Sequence, residues 1–149
     1  MWQIKAEHQR SQKLIKTLAE IWKESVASTH HFLTEEDKEK LYPLVLEALK
    51  NVPFLLTAHK EDNEILGFMG IEGHKIEMLF IHPKAQKQGL GKCFIEHAIN
   101  AYRAEFVDVN EQNPGAFAFY QKMGFEQFDR SEYDDLGNHF PLLHLKLKQ

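Results

Sequence analysis

Residues 78–94 read MLFIHPKAQKQGLGKCF. An apolar run stops at Pro83, and a polar loop follows with two glycines spaced G-x-G. A helical pattern then starts at once, with Leu90, Phe94, Ala98, Ile99 and Tyr102 on one face. The junction is therefore strand, loop, helix. The first amides of a helix lack intrahelical acceptors and lie at its positive end. A loop that aims further N–H groups at the same point makes an anion pocket. Gly89 and Gly91 have no Cβ and let an anion approach the backbone. Lys87 and Lys92 add positive charge, and Gln86 and Gln88 donate hydrogen bonds or brace the turn. The expected ligand is a phosphate or pyrophosphate. Two familiar phosphate loops do not fit: Cys93 stands where a Walker loop needs Ser or Thr, and Phe94 where a dinucleotide fingerprint needs Gly.

Working outward, FLLTAHK (54–60), EILGFMGI (64–71) and KIEMLFI (75–81) read as three strands separated by EDN and EGH turns, an antiparallel meander. Upstream, Leu14, Leu18, Ile21, Trp22 and Val26 have helical spacing, and TEED (34–37) is a capping box opening a second helix. Pro43 lies inside that helix and is expected to kink or split it. Downstream, EFVDV (105–109) reads as a strand parallel to the third one across the intervening helix. NPGAFAFYQKMGF (113–125) reads as a helix with Asn113 at the N-cap, Pro114 at the first position and Gly124 as the left-handed terminator. DDLGN (134–138) reads as a hairpin turn, and HFPLLHLKLK (139–148) as a strand burying Leu143, Leu145 and Leu147. The expected order is helices first, then β-β-β-α-β-α-β-β: a mixed α/β sheet flanked by helices, in one domain spanning 1–149.

Composition narrows the function classes. The 149 residues are 43% hydrophobic and 27% charged, ordinary for a water-soluble domain. Formal net charge is −4, against a general nucleic-acid binder. No apolar window reaches the roughly 18 residues of a membrane span, and the N-terminus lacks the apolar core of a signal peptide. The single cysteine, Cys93, excludes an internal disulfide and fits a reducing, cytoplasmic setting. It reads as a small buried apolar residue. The nine histidines form no ligand motif, so no metal is expected.

QKQGLG (86–91), following the strand that ends in LFIHP, resembles the acetyl-CoA loop of the GNAT N-acetyltransferase superfamily, [Q/R]-x-x-G-x-[G/A]. NEQNPGAFAFYQKMGF (110–125) is similar to the superfamily's second signature. SVASTHHFL, DVNEQN and RSEYDDLGNHFPLLHL further resemble the small bacterial YjaB-type acetyltransferases. The first loop position is Gln86 rather than the commoner Arg, one cation fewer at the pyrophosphate.

The resemblance implies the acyl-CoA N-acyltransferase fold, with a splayed parallel strand pair, and transfer of acetyl from acetyl-CoA to a primary amine by direct attack in a ternary complex. The acceptor is a protein lysine, an N-terminus or a small amine. It assigns the pyrophosphate to the amides of Gln86, Lys87, Gln88, Gly89, Leu90, Gly91 and Lys92, and the pantetheine arm to Leu79, Phe80 and Ile81. The Leu79 N–H is its candidate oxyanion donor. Tyr120 matches the general acid for the thiolate; the other reading is a core aromatic beside Phe117 and Phe119. Glu77 is the candidate base, or else a solvated strand carboxylate; alternation sets it opposite Ile76 and Met78. Asn110 holds a water or the acceptor, and Asn113 touches the coenzyme arm or is a plain N-cap. His30 and Phe32 cover the acceptor site, His30 being otherwise an ordinary loop histidine. Asp134, with Asp135, attracts a cationic acceptor or merely solvates its turn. The alternative to an enzyme is an acetyl-CoA sensor, which would not need a phenol at the thioester. A monomer or a homodimer paired through the Leu-rich terminal strand fits equally.

Overall fold

The computed structural model describes residues 2–148. In chain order the elements are β1 (Gln3–Ala6), α1 (Gln12–Thr29), α2 (Glu35–Asn51), β2 (Phe54–His59), β3 (Ile65–Glu72), β4 (Lys75–Ile81), α3 (Leu90–Tyr102), β5 (Phe106–Asn110), α4 (Pro114–Lys122), β6 (Phe125–Ser131) and β7 (Leu142–Leu147). The strands form one mixed sheet in the order β1-β2-β3-β4-β5-β7-β6. Only β4 and β5 are parallel; every other neighbouring pair is antiparallel.

Helices cover the sheet on both faces. On one, Leu18, Trp22 and Val26 of α1 pack with Leu49, Leu55 and Phe68. On the other, Phe94, Ile95 and Ala98 of α3 pack with Leu56, Met69, Val107 and Leu145. The central strand β3 is accordingly buried at every position from Leu66 to Ile71, the pattern of a strand covered on both sides.

Three expectations need correction. First, the helices do not lead the chain: β1 precedes them, pairing Ile4 with Ala58 at the sheet edge. Four residues with only partial burial carry too little periodicity to be read alone. Second, of the two effects expected at Pro43 the split does not occur: α2 runs unbroken from Glu35 to Asn51. Pro43 is exposed, so the single carbonyl it leaves unpaired faces water, while Leu41, Tyr42, Val45 and Leu46 hold the helix onto α1. Third, the terminal strand is not an edge. β7 lies between β5 and β6, so both its backbone sides are already paired and it offers no strand to a second chain. The DDLGN turn is likewise only part of a longer loop, residues 132–141.

The TEED capping box forms as read. Thr34 Oγ1 accepts from the Asp37 N–H at 3.0 Å, and the Asp37 carboxylate accepts from the Thr34 N–H at 2.9 Å. Thr34→Ala is expected to lower stability by about 1 kcal/mol. Urea denaturation should show a lower midpoint with an unchanged slope.

One irregularity shapes the centre of the sheet. Ile71 pairs with Ile76, but Gly70 pairs with Met78, which leaves Glu77 as an extra residue in β4. The bulge puts Ile76 in the core beneath α3 and Met78 against α1. Glu77 therefore does not oppose both neighbours as simple alternation required. A bulge bends its strand and interrupts the ladder. β4 accordingly pairs with β5 only at Lys75↔Phe106 and Ile76↔Val107, just before the bulge. β5 meanwhile follows β7 along its whole length, from Phe106↔Lys146 to Asn110↔Leu142. β4 and β5 diverge from Glu77 onward.

Candidate active site

The divergence opens a cleft of about 140 Å³, into which His30, Glu77, Asp108, Asn110, Asn113 and Tyr120 converge. Its wall on the β4 side is the backbone of Met78, Leu79 and Phe80, which has no partner on β5. A larger hollow, about 480 Å³ between α1 and α2, is lined by Trp22, Lys23 and Tyr42 and gathers no comparable set of chemical groups.

The strand β4 that lines the cleft runs on into the loop before α3, which starts at Leu90 without any side-chain cap. Its first amides thus remain available to an anion. The loop before it is braced from within. Gln86 Nε2 donates to the Ile81 carbonyl at 3.4 Å, Gln88 Nε2 donates to the Lys84 carbonyl at 2.9 Å, and the Trp2 indole donates to the Gln88 carbonyl at 3.2 Å. The glutamines therefore brace the turn. The glycines serve distinct purposes. Gly89 has φ of 82°, and a Cβ there would meet nothing within 4 Å, so backbone conformation demands it. A Cβ on Gly91 would lie 3.1 Å from Phe119 Cζ, so its need is close packing of α3 on α4.

Tyr120 is buried, with Phe119 and Phe125 at ring-centroid distances of 5.1 and 5.7 Å. Both readings of this residue hold geometrically: it is a core aromatic, and it lines the cleft. Its hydroxyl makes no hydrogen bond to another described residue. Burial pushes the phenol well above its ordinary pKa, so it stays protonated throughout the neutral range. Asn113 caps α4, its Oδ1 accepting from the Ala116 N–H at 3.2 Å. Asn110 Oδ1 accepts from the Gln112 N–H at 2.9 Å. In each case the side-chain amide N–H₂ remains for the cleft.

Glu77 has its pKa raised, chiefly by desolvation; Lys75 opposes this, and Glu72, Asp108 and Asp135 reinforce it. His30 ends α1, with its Nδ1 2.7 Å from Thr29 Oγ1. Burial lowers its pKa, aided by His31, so it is neutral at neutral pH. Phe32 makes tilted ring contacts with His30 (5.4 Å) and Phe140 (5.9 Å), joining the α1–α2 loop to the β6–β7 loop, and does not itself line the cleft. Asp134 does not line the cleft. Its carboxylate accepts from the Leu136 and Asn138 N–H groups at 3.0 and 2.8 Å and so shapes its own loop. Cys93 is half-buried rather than buried, with its thiol pKa raised by desolvation. Among the described residues no group of three His, Cys, Asp or Glu side chains could hold a metal, and no helix is long and apolar enough to cross a membrane.

Sequence reasoning missed a second cluster beside the cleft. Lys75 Nζ donates to Asp108 Oδ2 at 2.8 Å, His144 Nδ1 lies 2.6 Å from Asp108 Oδ1, and Ser131 Oγ lies 2.6 Å from His144 Nε2. The only local signal was polar alternation: Asp108 between Val107 and Val109, His144 between Leu143 and Leu145. Desolvation raises Asp108, but hydrogen bonds from Lys75 and His144 and their charges outweigh it, leaving the carboxyl below its ordinary pKa.

Comparison with known proteins follows the same lines. The family described as acetyltransferase (GNAT) domain matches residues 29–145. Peptidyl-lysine N-acetyltransferase YjaB of Salmonella typhimurium is 41% identical over 141 residues, covering 95% of this chain and 94% of that protein. The solution structure of apo YjaB from Escherichia coli superposes with a TM-score of 0.87 at 37% identity, covering 98% of this chain and 97% of the other. PaiA N-acetyltransferase from Thermoplasma acidophilum, solved in complex with coenzyme A, shares the fold with a TM-score of 0.67 at 23% identity, covering 99% of each chain.

Proposed function

The chain belongs to the GNAT acetyltransferase family, and from that premise we propose that it moves the acetyl group of acetyl-CoA to the side-chain amine of a protein lysine, by direct attack in a ternary complex. The observation that carries this reading is the divergence of β4 from β5 at Glu77. It exposes unpaired backbone on Leu79 and Phe80, in a cleft that a buried phenol also lines and on the strand that leads into the loop before the uncapped α3. An extended, amide-bearing pantetheine arm fits such an edge as an added strand, with its pyrophosphate at the α3 N-terminus. The relatives named for peptidyl-lysine acetylation support the acceptor class, and acetyl-CoA supply favours a bacterial cytoplasmic setting.

Each residue then has a task. The amides from Gln86 to Lys92, with Lys87 and Lys92, hold the pyrophosphate. The Leu79 N–H polarises the thioester carbonyl as negative charge develops on its oxygen. Glu77 takes the proton of the acceptor ammonium, and the neutral amine attacks the carbonyl carbon. The C–S bond breaks and Tyr120 protonates the departing thiolate, while the second proton shed by the nitrogen as the amide forms passes through solvent and restores the phenol. Asn110 and Asn113 orient acceptor and arm through their amide groups, and His30 with Phe32 covers the acceptor mouth.

The test is thiol release from acetyl-CoA, with lysine peptides, N-terminal amines and polyamines compared as acceptors. Release that depends on lysine peptides supports the reading. Release only with small amines sinks the acceptor class, and absence of acetyl-CoA binding sinks the whole. The base has its own signature. Glu77 acts deprotonated and its pKa is raised, so the acid limb of kcat/KM should lie above the ordinary carboxylate value of about 4.3. Glu77→Gln should remove that limb and lower kcat; an unchanged limb in the variant would exclude Glu77.

A further inference from the structure

Two acidic residues line the cleft from its two diverging strands, Glu77 on β4 and Asp108 on β5. Their surroundings differ. Glu77 makes no hydrogen bond or ion pair to another described side chain, and it occupies the bulge. Asp108 is fixed at both oxygens, by Lys75 on Oδ2 and by His144 on Oδ1, and His144 is in turn fixed by Ser131. The side chains of Asp108 and His144 are 20% and 22% exposed, so the clamp is sheltered but Asp108 still reaches the cleft.

The contact order Ser131–His144–Asp108 is that of a nucleophilic triad. Its orientation argues for another use. Asp108 is the member that lines the cleft, and neither His144 nor Ser131 does, while Lys75 holds its second oxygen. Ser131 lies on β6, two strands away from β5 across β7, about 10 Å at ordinary strand spacing. The network therefore holds an anion in place beside the reacting centre. A carboxylate has about four lone-pair sites. Lys75 and His144 occupy one on each oxygen, leaving room for further N–H donors.

We propose that Asp108, clamped by Lys75 and by the His144–Ser131 pair, is the fixed anion that binds the acceptor's ammonium, and that this division of labour leaves Glu77 to take the proton. The inference rests on the reading of the cleft as an amine-acceptor site and adds the residue that selects a cationic acceptor. The opposite displacement of the two carboxyl pKa values, Glu77 up and Asp108 down, agrees with it. Paired titratable groups whose surroundings push their pKa values apart commonly take different roles in one site.

The test is a binding measurement that needs no turnover. Coenzyme-A-saturated protein is titrated, with NMR detection, with Nα-acetyl-lysine methylamide and with its uncharged analogue Nα-acetyl-norleucine methylamide. The native protein should prefer the lysine ligand, and Asp108→Asn should lose about tenfold of that preference, or about 1.4 kcal/mol, with norleucine binding unchanged. If Asp108→Asn does not fold, Ser131→Ala, which loosens the clamp but keeps the carboxylate, should show the same selective loss on a smaller scale. A preference that survives in the variant overturns the proposal. Equal loss for both ligands also overturns it, because Asp108 would then only hold the cleft wall together. If the native protein itself shows no preference for lysine, the acceptor reading fails, and this inference with it.

Discussion

Tyr120→Phe is expected to lower kcat about 100-fold, the lower end of the range for general-acid catalysis, while acetyl-CoA affinity and Tm change little. The substitution removes one oxygen and keeps the ring. The edge-on contacts with Phe119 and Phe125 survive, and so does the contribution of Tyr120 to the core beneath α3 and α4. Because its hydroxyl has no hydrogen-bond partner among the described residues, its loss strands no buried group, and stability has little reason to fall. What disappears, under the proposed mechanism, is the proton that Tyr120 holds at neutral pH and gives to the thiolate. Steady-state rates and thermal denaturation of the pair measure both quantities. A fall in Tm with unchanged kcat would leave Tyr120 as a packing residue only and remove it from the mechanism.

Gly89→Val should weaken acetyl-CoA binding roughly 30-fold, whereas Gly89→Asn should cost far less. At φ of 82° and ψ of 3° the backbone of Gly89 turns the chain from the loop into α3. A β-branched residue is strongly disfavoured there, while Asn is among the few side chains that tolerate the left-handed region. Nothing lies within 4 Å of the added Cβ, so any difference between the two variants comes from backbone strain rather than collision. About 2 kcal/mol of strain, relieved by displacing the amides at the head of α3, corresponds to the stated loss in affinity. Isothermal titration with coenzyme A measures it. Equal affinities for the Val and Asn variants would show that the loop conformation does not determine binding. Gly91 behaves differently. Its Cβ would press on Phe119, so substitution there should lower stability along with binding.

The parts of this protein legible in its sequence are those set by neighbours along the chain. The strand–loop–helix at 78–94, the capping box at Thr34, the Asn113–Pro114 helix start and the meander of β2, β3 and β4 all depend on dihedral preferences, local hydrogen bonds and apolar periodicity. These act over a few residues and leave a readable pattern. The family resemblance of the loop and of the α4 segment also pointed to Tyr120, Asn110, Asn113 and Glu77, which the fold brings to one cleft and whose roles belong to the proposed mechanism.

Partnership across the chain was decided by the tertiary structure. The bulge at Glu77 is a matter of register between β4 and β3, and no feature of KIEMLFI alone announces an extra residue. Asp134 lies near the cleft in sequence logic but is drawn into its own loop by two backbone amides. The Lys75–Asp108–His144–Ser131 network joins four strands and forms only because β7 inserts between β5 and β6. Where a strand carries no bulge, alternation with period two sets which of its residues share a side. Which polar residues meet depends on strand order and register. These are set by burying both faces of one sheet at once, a constraint that no short stretch of chain contains.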